Sequence, residues 1–334
     1  MTKNLCKLVL VVSFISSSLL PISISNAQDN LTIGVITPLT GPFARYGEKI
    51  QQSILKYSDP TVKFIFEDEG CDPKKAITAY KKLSERAGVK LFIGPFCGSP
   101  QSAVAPLLIR DQQLAIVGNS APESVFRASN GRMFSTQYSI EVESDFLARK
   151  ITEHQVKSVV VIFRDNAFSR AHEATFRSSF KGETMATLTY TSDDPSELKA
   201  IALKVKKLNP EALFVPDAFP LMAGLTKELR NLGIKKRIYC PYSVQSDDVL
   251  KALGADGDDM IYSYPDIGEN EALSFFSTMA AKILVNAAKD CKNQIQCIIT
   301  SITNNSSFNK QGILSGKLRL KTIRSGAFVP FSED

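Results

Sequence analysis

The sequence predicts an α/β protein built from two doubly wound parallel-sheet lobes. Three observations carry that expectation. Short β-branched and aromatic runs alternate with longer amphipathic ones, the order that lays helices over both faces of parallel sheets. The alternation is repeated in the second half of the chain, with no low-complexity linker between the halves. The chain also exceeds what one hydrophobic core usually holds, at 334 residues, or 334 − 27 = 307 once an expected leader is removed.

That leader comes first. Lys3 and Lys7 precede an uncharged run from Leu8 to Leu20, and Ser25-Asn26-Ala27 places small residues where a signal peptidase reads. A basic start, a short apolar core and a small-x-Ala end make a cleaved signal peptide over residues 1–27, so the periplasm is the expected location. The apolar run is too short to span a bilayer as a helix, for which roughly 20 residues are needed. Cys6 lies before that run rather than at the cleavage site, so a lipid anchor is not expected.

In the first half, strands are predicted at Leu31–Ile36, Val62–Phe66, Leu91–Ile93 and Leu114–Val117. Helices are predicted between them at Arg45–Tyr57, Lys74–Ala87 and Ser102–Asp111. The Lys74 helix shows the logic: Ile77, Tyr80 and Leu83 recur at three-residue steps while Lys75, Lys81, Lys82 and Glu85 face water. Its entry, Asp72-Pro73, is a cap followed by proline at the first helical position. The second half predicts strands at Val159–Phe163, Met185–Tyr190, Ala212–Val215, Arg237–Tyr239 and Met260–Tyr262. Its helices fall at Ser144–His154, Ala167–Phe180, Pro195–Leu208, Pro220–Leu232 and Asp247–Leu253. A long helix over Glu271–Lys289 and a strand-rich tail from Gly312 complete the chain.

Composition excludes several functions. The net charge of +6 falls to about +4 without Lys3 and Lys7, and the lysines are scattered rather than massed, which argues against a nucleic-acid partner. Cys71, Cys97, Cys240, Cys291 and Cys297 remain after the leader; none forms a Cys-x-x-Cys pair, and with only His154 and His172 beside them no metal site is expected. Export favours disulfides, and an odd count leaves a free thiol. There is no Gly-x-Ser-x-Gly, His-Glu-x-x-His, phosphate loop or Gly-x-Gly-x-x-Gly. The acidic pair Asp68-Glu69 runs into Gly70-Cys71 and reads as a turn. The expectation is therefore a binding protein, not an enzyme, with no cofactor.

In open parallel sheets ligands bind beyond the carboxyl ends of the strands. The segments there are rich in glycine, proline, small hydroxyls and aromatics: 37–47, 94–100 and 118–122 in the first half, and 164–168, 216–219 and 241–243 in the second. A carboxylate wants helix N-terminal amides and hydroxyls, which Gly98, Ser99 and Ser120 would supply. An ammonium wants a carboxylate, and Asp217 stands at a strand end. Tyr46, Phe168, Phe219 and Tyr242 would wall an apolar group. A small zwitterion suits this mixture.

Three segments carry a resemblance to a known family. Ile33-Gly-Val-Ile-Thr-Pro-Leu-Thr-Gly-Pro-Phe-Ala-Arg-Tyr-Gly47, Glu67-Asp-Glu-Gly-Cys-Asp-Pro-Lys-Lys-Ala76 and Phe92-Ile-Gly-Pro-Phe-Cys97 resemble the periplasmic leucine/isoleucine/valine-binding proteins, the type I receptors of branched-chain amino-acid ABC importers. The resemblance is strong to about residue 125 and looser beyond it. It implies a three-segment hinge with crossings near Tyr138, Pro265 and Leu318. The lobes are then 28–138 plus 265–318 and 139–264 plus 319–334. It pairs Cys71 with Cys97, closing a 97 − 71 = 26-residue step worth roughly 3 kcal/mol in the chain-entropy model. Cys291 and Cys297 are close enough to pair locally or to remain two thiols on one helical stretch.

The resemblance puts ligand positions at Tyr46, Gly98 or Ser99, Asn119, Ser120, Phe168, Phe219 and Tyr242. It implies delivery of an amino acid, branched-chain or related, to a membrane permease by a monomeric receptor. Departures open other readings. Phe168 and Phe219 stand where the branched-chain binders carry tyrosines, and Tyr242 replaces the glutamate that holds the ligand ammonium, leaving Asp217 as its substitute. Without Asp217 in that role, the ligand is a small carboxylate or amide. The chain is also shorter than the family between Pro265 and Ala272, which would suit a non-transporting relative; the fold also serves as a receptor ectodomain, so a sensor is a further alternative.

Overall fold

A computed structural model describes residues 31–332 apart from 58, 193, 218–220, 269 and 305–306. The expected leader and Phe219 lie outside the described residues. The first sheet is wholly parallel. It alternates β1 (Leu31–Thr37), α1 (Ala44–Leu55), β2 (Val62–Asp68), α2 (Pro73–Lys81), β3 (Leu91–Ile93), α3 (Gly98–Arg110), β4 (Leu114–Val117), α4 (Glu123–Ala128) and β5 (Met133–Ser135). The strand order is β2-β1-β3-β4-β5.

The second sheet is built on α5 (Ile140–Glu153), β6 (Ser158–Arg164), α6 (Ala167–Ser179), β7 (Glu183–Tyr190), α7 (Pro195–Leu208), β8 (Ala212–Phe214), α8 (Leu221–Asn231), β9 (Arg237–Cys240), α9 (Asp247–Leu253) and β10 (Met260–Pro265). The chain then returns to the first lobe as α10 (Ala272–Asp290) and α11 (Ile295–Thr303) before adding β11 (Leu318–Arg324) and β12 (Ala327–Pro330) to the second sheet. The order there is β12-β11-β10-β9-β8-β6-β7, parallel from β7 to β10, with β11 and β12 antiparallel.

Alternating side chains decide which face each helix covers. In β1, Ile33 and Val35 point into the core shared with α10, through Leu284 and Val285; Ile36 points to the opposite core, with Tyr80 and Leu83. In the second lobe Val160 and Ile162 pack under α7 and α8, while Val159 and Val161 pack under α5 and α6. Asp72 caps α2 as predicted, accepting from the amides of Lys74 and Lys75. Glycine is required where layers touch: a Cβ on Gly47 would lie 1.9 Å from the Pro38 carbonyl oxygen, and one on Gly94 would lie 2.1 Å from that of Ile36.

Three connections run between the sheets, at 136–139, 266–271 and 314–317. The second and third are tied to each other, and the first is tied to α10. The Asp266 amide donates to the Lys317 carbonyl at 2.9 Å, and the Thr136 hydroxyl donates to the Phe276 carbonyl at 3.0 Å. The second crossing passes from β10 to α10 in six residues.

Some elements differ from expectation. α3 begins at Gly98 rather than Ser102, so Gly98, Ser99 and Pro100 form its first turn. The helix expected over Lys74–Ala87 changes to wider five-residue turns at Lys82–Arg86. α4, β5 and α11 are additions. The cysteine pairing left open is resolved: Cys291 is bonded to Cys297 across the end of α10, Cys71 is bonded to Cys97, and Cys240 is a buried free thiol. Among the described residues no helix is long and apolar enough to cross a membrane.

Candidate functional site

Each sheet reverses its winding beside its first strand, between β1 and β3 in one lobe and between β6 and β8 in the other. Such switch points leave a crevice at the carboxyl ends of the strands. Here the two crevices share one cavity of about 410 Å³. Tyr46, Gly98, Ser99, Asn119 and Ser120 line it from the first lobe; Phe168, Asp217 and Tyr242 line it from the second. All the predicted ligand residues that are described are thus brought to one cleft; Phe219 lies outside the described residues.

The first lobe presents hydrogen-bond donors. Gly98 and Ser99 open α3, so their amides have no intrahelical acceptor, and a Cβ on Gly98 would meet nothing within 4 Å. The turn before them is held by Glu69, whose carboxylate accepts from the amides of Phe96 at 3.1 Å and Cys97 at 2.8 Å. Burial pushes the Glu69 carboxyl up to about 8. Glu69, Cys71 and Cys97 cluster tightly enough for a metal, but both sulfurs are in the disulfide and both oxygens are engaged. Asn119 is also occupied: its Nδ2 donates to the Phe96 carbonyl, and its Oδ1 accepts from Gln101 at 3.1 Å. The Tyr46 hydroxyl is buried without a partner, and burial, with Asp248 and Glu271 nearby, raises its pKa.

In the second lobe Asp217 is 2% exposed. Its Oδ2 accepts from the Arg164 amide at 2.9 Å and from the Tyr190 hydroxyl. The carboxylate expected to hold an ammonium is therefore already a fastening of its own lobe. Phe168 stands edge-on to His172, with ring centres 4.5 Å apart. Tyr242 reaches the first crossing by donating its hydroxyl to the Gln137 side chain at 3.2 Å, and its amide donates to Glu143 at 3.0 Å. Glu143 is wholly buried; it also accepts from the Ser263 hydroxyl and lies 3.8 Å from His172. Burial raises Glu143 to about 7 and lowers His172 to about 3.

Sequence reasoning missed Arg164 and Glu271, which both line the cavity. Arg164 was visible as a cation ending a strand at a switch point. Glu271 caps α10, accepting from the amides of Leu273 and Ser274, and its facing the cleft depends on how that helix docks.

Comparison with known proteins bears on the family and the fold. Residues 30–296 match the family model described as periplasmic binding protein. The leucine-, isoleucine-, valine-, threonine- and alanine-binding protein of Pseudomonas aeruginosa is 21% identical over 81% of this chain and 74% of its own length. Brucella relatives described as Leu/Ile/Val-binding protein homologues are spanned over only 62% of their length. In fold, the chain resembles a leucine-binding protein from Thermotoga maritima, at a TM-score of 0.81 and 16% identity, over 90% of this chain and 98% of that one. It equally resembles an ABC-transporter solute-binding protein from Rhodopseudomonas palustris solved with 4-hydroxybenzoate, at 0.80 and 18% identity, over 91% and 96%.

Proposed function

The chain belongs to the periplasmic binding protein family, and from that premise we propose that it is the monomeric, periplasmic receptor of an ABC importer, delivering a small carboxylate to a membrane permease. Membership itself places it among extracytoplasmic binding proteins of transport systems. The observation that carries the reading is the single cavity between the carboxyl ends of both sheets, with the amides of Gly98 and Ser99 and the hydroxyls of Tyr46 and Ser120 on one wall. These donors suit a carboxylate. We take the lobes to be 28–138 plus 265–318 and 139–264 plus 319–334, following a cleaved leader over residues 1–27.

Two ligand classes occur among the relatives: amino acids and benzoates. An amino acid would set its carboxylate on Gly98, Ser99 and Ser120, its ammonium on Asp217, and its side chain against Tyr46, Phe168, Phe219 and Tyr242. An aromatic acid would need the same carboxylate donors and no ammonium partner. A thermal-shift screen of amino acids, amides and aromatic acids tests the receptor reading. A ligand at 100 times its dissociation constant should stabilise the protein by about 2.7 kcal/mol. Silence across the whole screen would leave a non-binding relative as the better description.

A further inference from the structure

The hydrogen-bonding groups of the cleft wall are unevenly occupied. Among the described residues, its carboxylate and side-chain amide groups already accept hydrogen bonds. Both Asp165 oxygens are held by Arg170. The Asp217 Oδ2 holds the Arg164 amide and the Tyr190 hydroxyl. Glu271 caps α10 and lies 3.7 Å from Lys49. The side-chain oxygens of Asn119, Asn166 and Gln245 accept from Gln101, the Ser169 amide and the Tyr262 hydroxyl. Donors are left over. The Tyr46 hydroxyl is buried with no partner among the described residues. Among the described residues, the Ser120 hydroxyl and the Arg164 guanidinium make no hydrogen bond or ion pair.

An ammonium brings three donors and no acceptor. To bind here it would have to share a carboxylate that already serves other donors. A carboxylate brings only acceptors, and a guanidinium can grip it with two parallel hydrogen bonds. The apolar wall is equally selective. It is formed by the rings of Phe43, Tyr46, Phe96, Phe168, Tyr242 and Tyr264, with Ala272 and Leu273 the only aliphatic side chains among the described lining residues. Tyr46 and Phe96 stack at 5.8 Å between centres, the spacing at which a further ring packs well.

We propose that the cleft selects a small aromatic carboxylate lacking an ammonium group, with Arg164 as its charge partner; the proposal rests on the receptor reading above. Calorimetry on the full chain and on Arg164→Gln would test it, using benzoate, phenylacetate, cinnamate, benzamide, leucine and phenylalanine. At least one of the three aromatic acids should bind the unsubstituted chain, and Arg164→Gln should weaken it by about tenfold or more. That loss should come with an unchanged unfolding temperature in the absence of ligand, and benzamide should bind both forms alike. Tighter binding of leucine or phenylalanine than of any aromatic acid, or an aromatic acid indifferent to Arg164→Gln, overturns this proposal while the receptor reading stands. Binding of none of the six, together with silence in the wider screen, removes both.

Discussion

Glu69 never reaches solvent, yet it shapes the cleft by holding the amides of Phe96 and Cys97 just before α3. Burial raises its folded-state pKa to about 8 from 4.5. The folded state therefore keeps a proton that the unfolded chain loses above pH 4.5. By linkage, its contribution to stability is fully present below pH 4.5 and is lost as pH rises towards 8. Denaturant unfolding between pH 5 and pH 8 should show stability falling with pH, and Glu69→Gln should flatten that slope; parallel slopes would mean that Glu69 does not titrate in this window. The sequence set Glu69 beside Asp68 and suggested a turn, but the carboxyl's two acceptors' worth of work depends on residues 27 and 28 positions away. Tyr46 was legible because an aromatic after a strand end has few other uses. Arg164 was visible only as a cation ending a strand, a kind of position that most often faces water, and what distinguishes it is a guanidinium in the cleft with no partner among the described residues.

Elements were legible where local chemistry agreed with the fold. β1, β3 and β4 are short β-branched runs buried on both faces, and their expected bounds match to within one residue. β5 has three residues and owes its existence to pairing with β4, so no local signal marks it. α3 starts early because Gly98-Ser-Pro reads equally as a turn or as a helix opening. α11 was missed for a different reason: Ile295, Ile298, Ile299 and Ile302 do carry helical spacing, and that signal was overlooked. The two disulfides make a testable contrast between elements. Cys71–Cys97 joins the entry of α2 to the entry of α3 over 26 residues, whereas Cys291–Cys297 spans 6 residues between α10 and α11. In the chain-entropy model the first is worth about 3 kcal/mol and the second about 2 kcal/mol. Serine pairs at 71/97 and at 291/297, compared by urea unfolding, should rank in that order. Only the first pair should also weaken ligand binding, since Cys71 and Cys97 line the cleft.

At the scale of the molecule, two sheets with the same winding meet at their switch points, so the cavity lies where neither lobe alone would enclose a ligand. Closure must then be stabilised by contacts from lobe to lobe. One lies beside Tyr46: Arg45 on α1 pairs with Asp248 on α9, across a sequence separation of 203 residues. With the Arg45 side chain 75% exposed, the pair is worth at most about 1 kcal/mol. That is enough to change a rate without changing the fold. Asp248→Asn should leave the stability of each lobe intact and speed ligand release up to about fivefold, because the contact joins α1 of one lobe to α9 of the other. Stopped-flow measurement of release from both proteins would show it. Raising ionic strength from about 0.01 to about 0.15 M shortens the screening length from roughly 30 to 8 Å. The gap between the two proteins should narrow accordingly. A gap that survives added salt would mean that Asp248 acts through packing of α9 instead of through its charge.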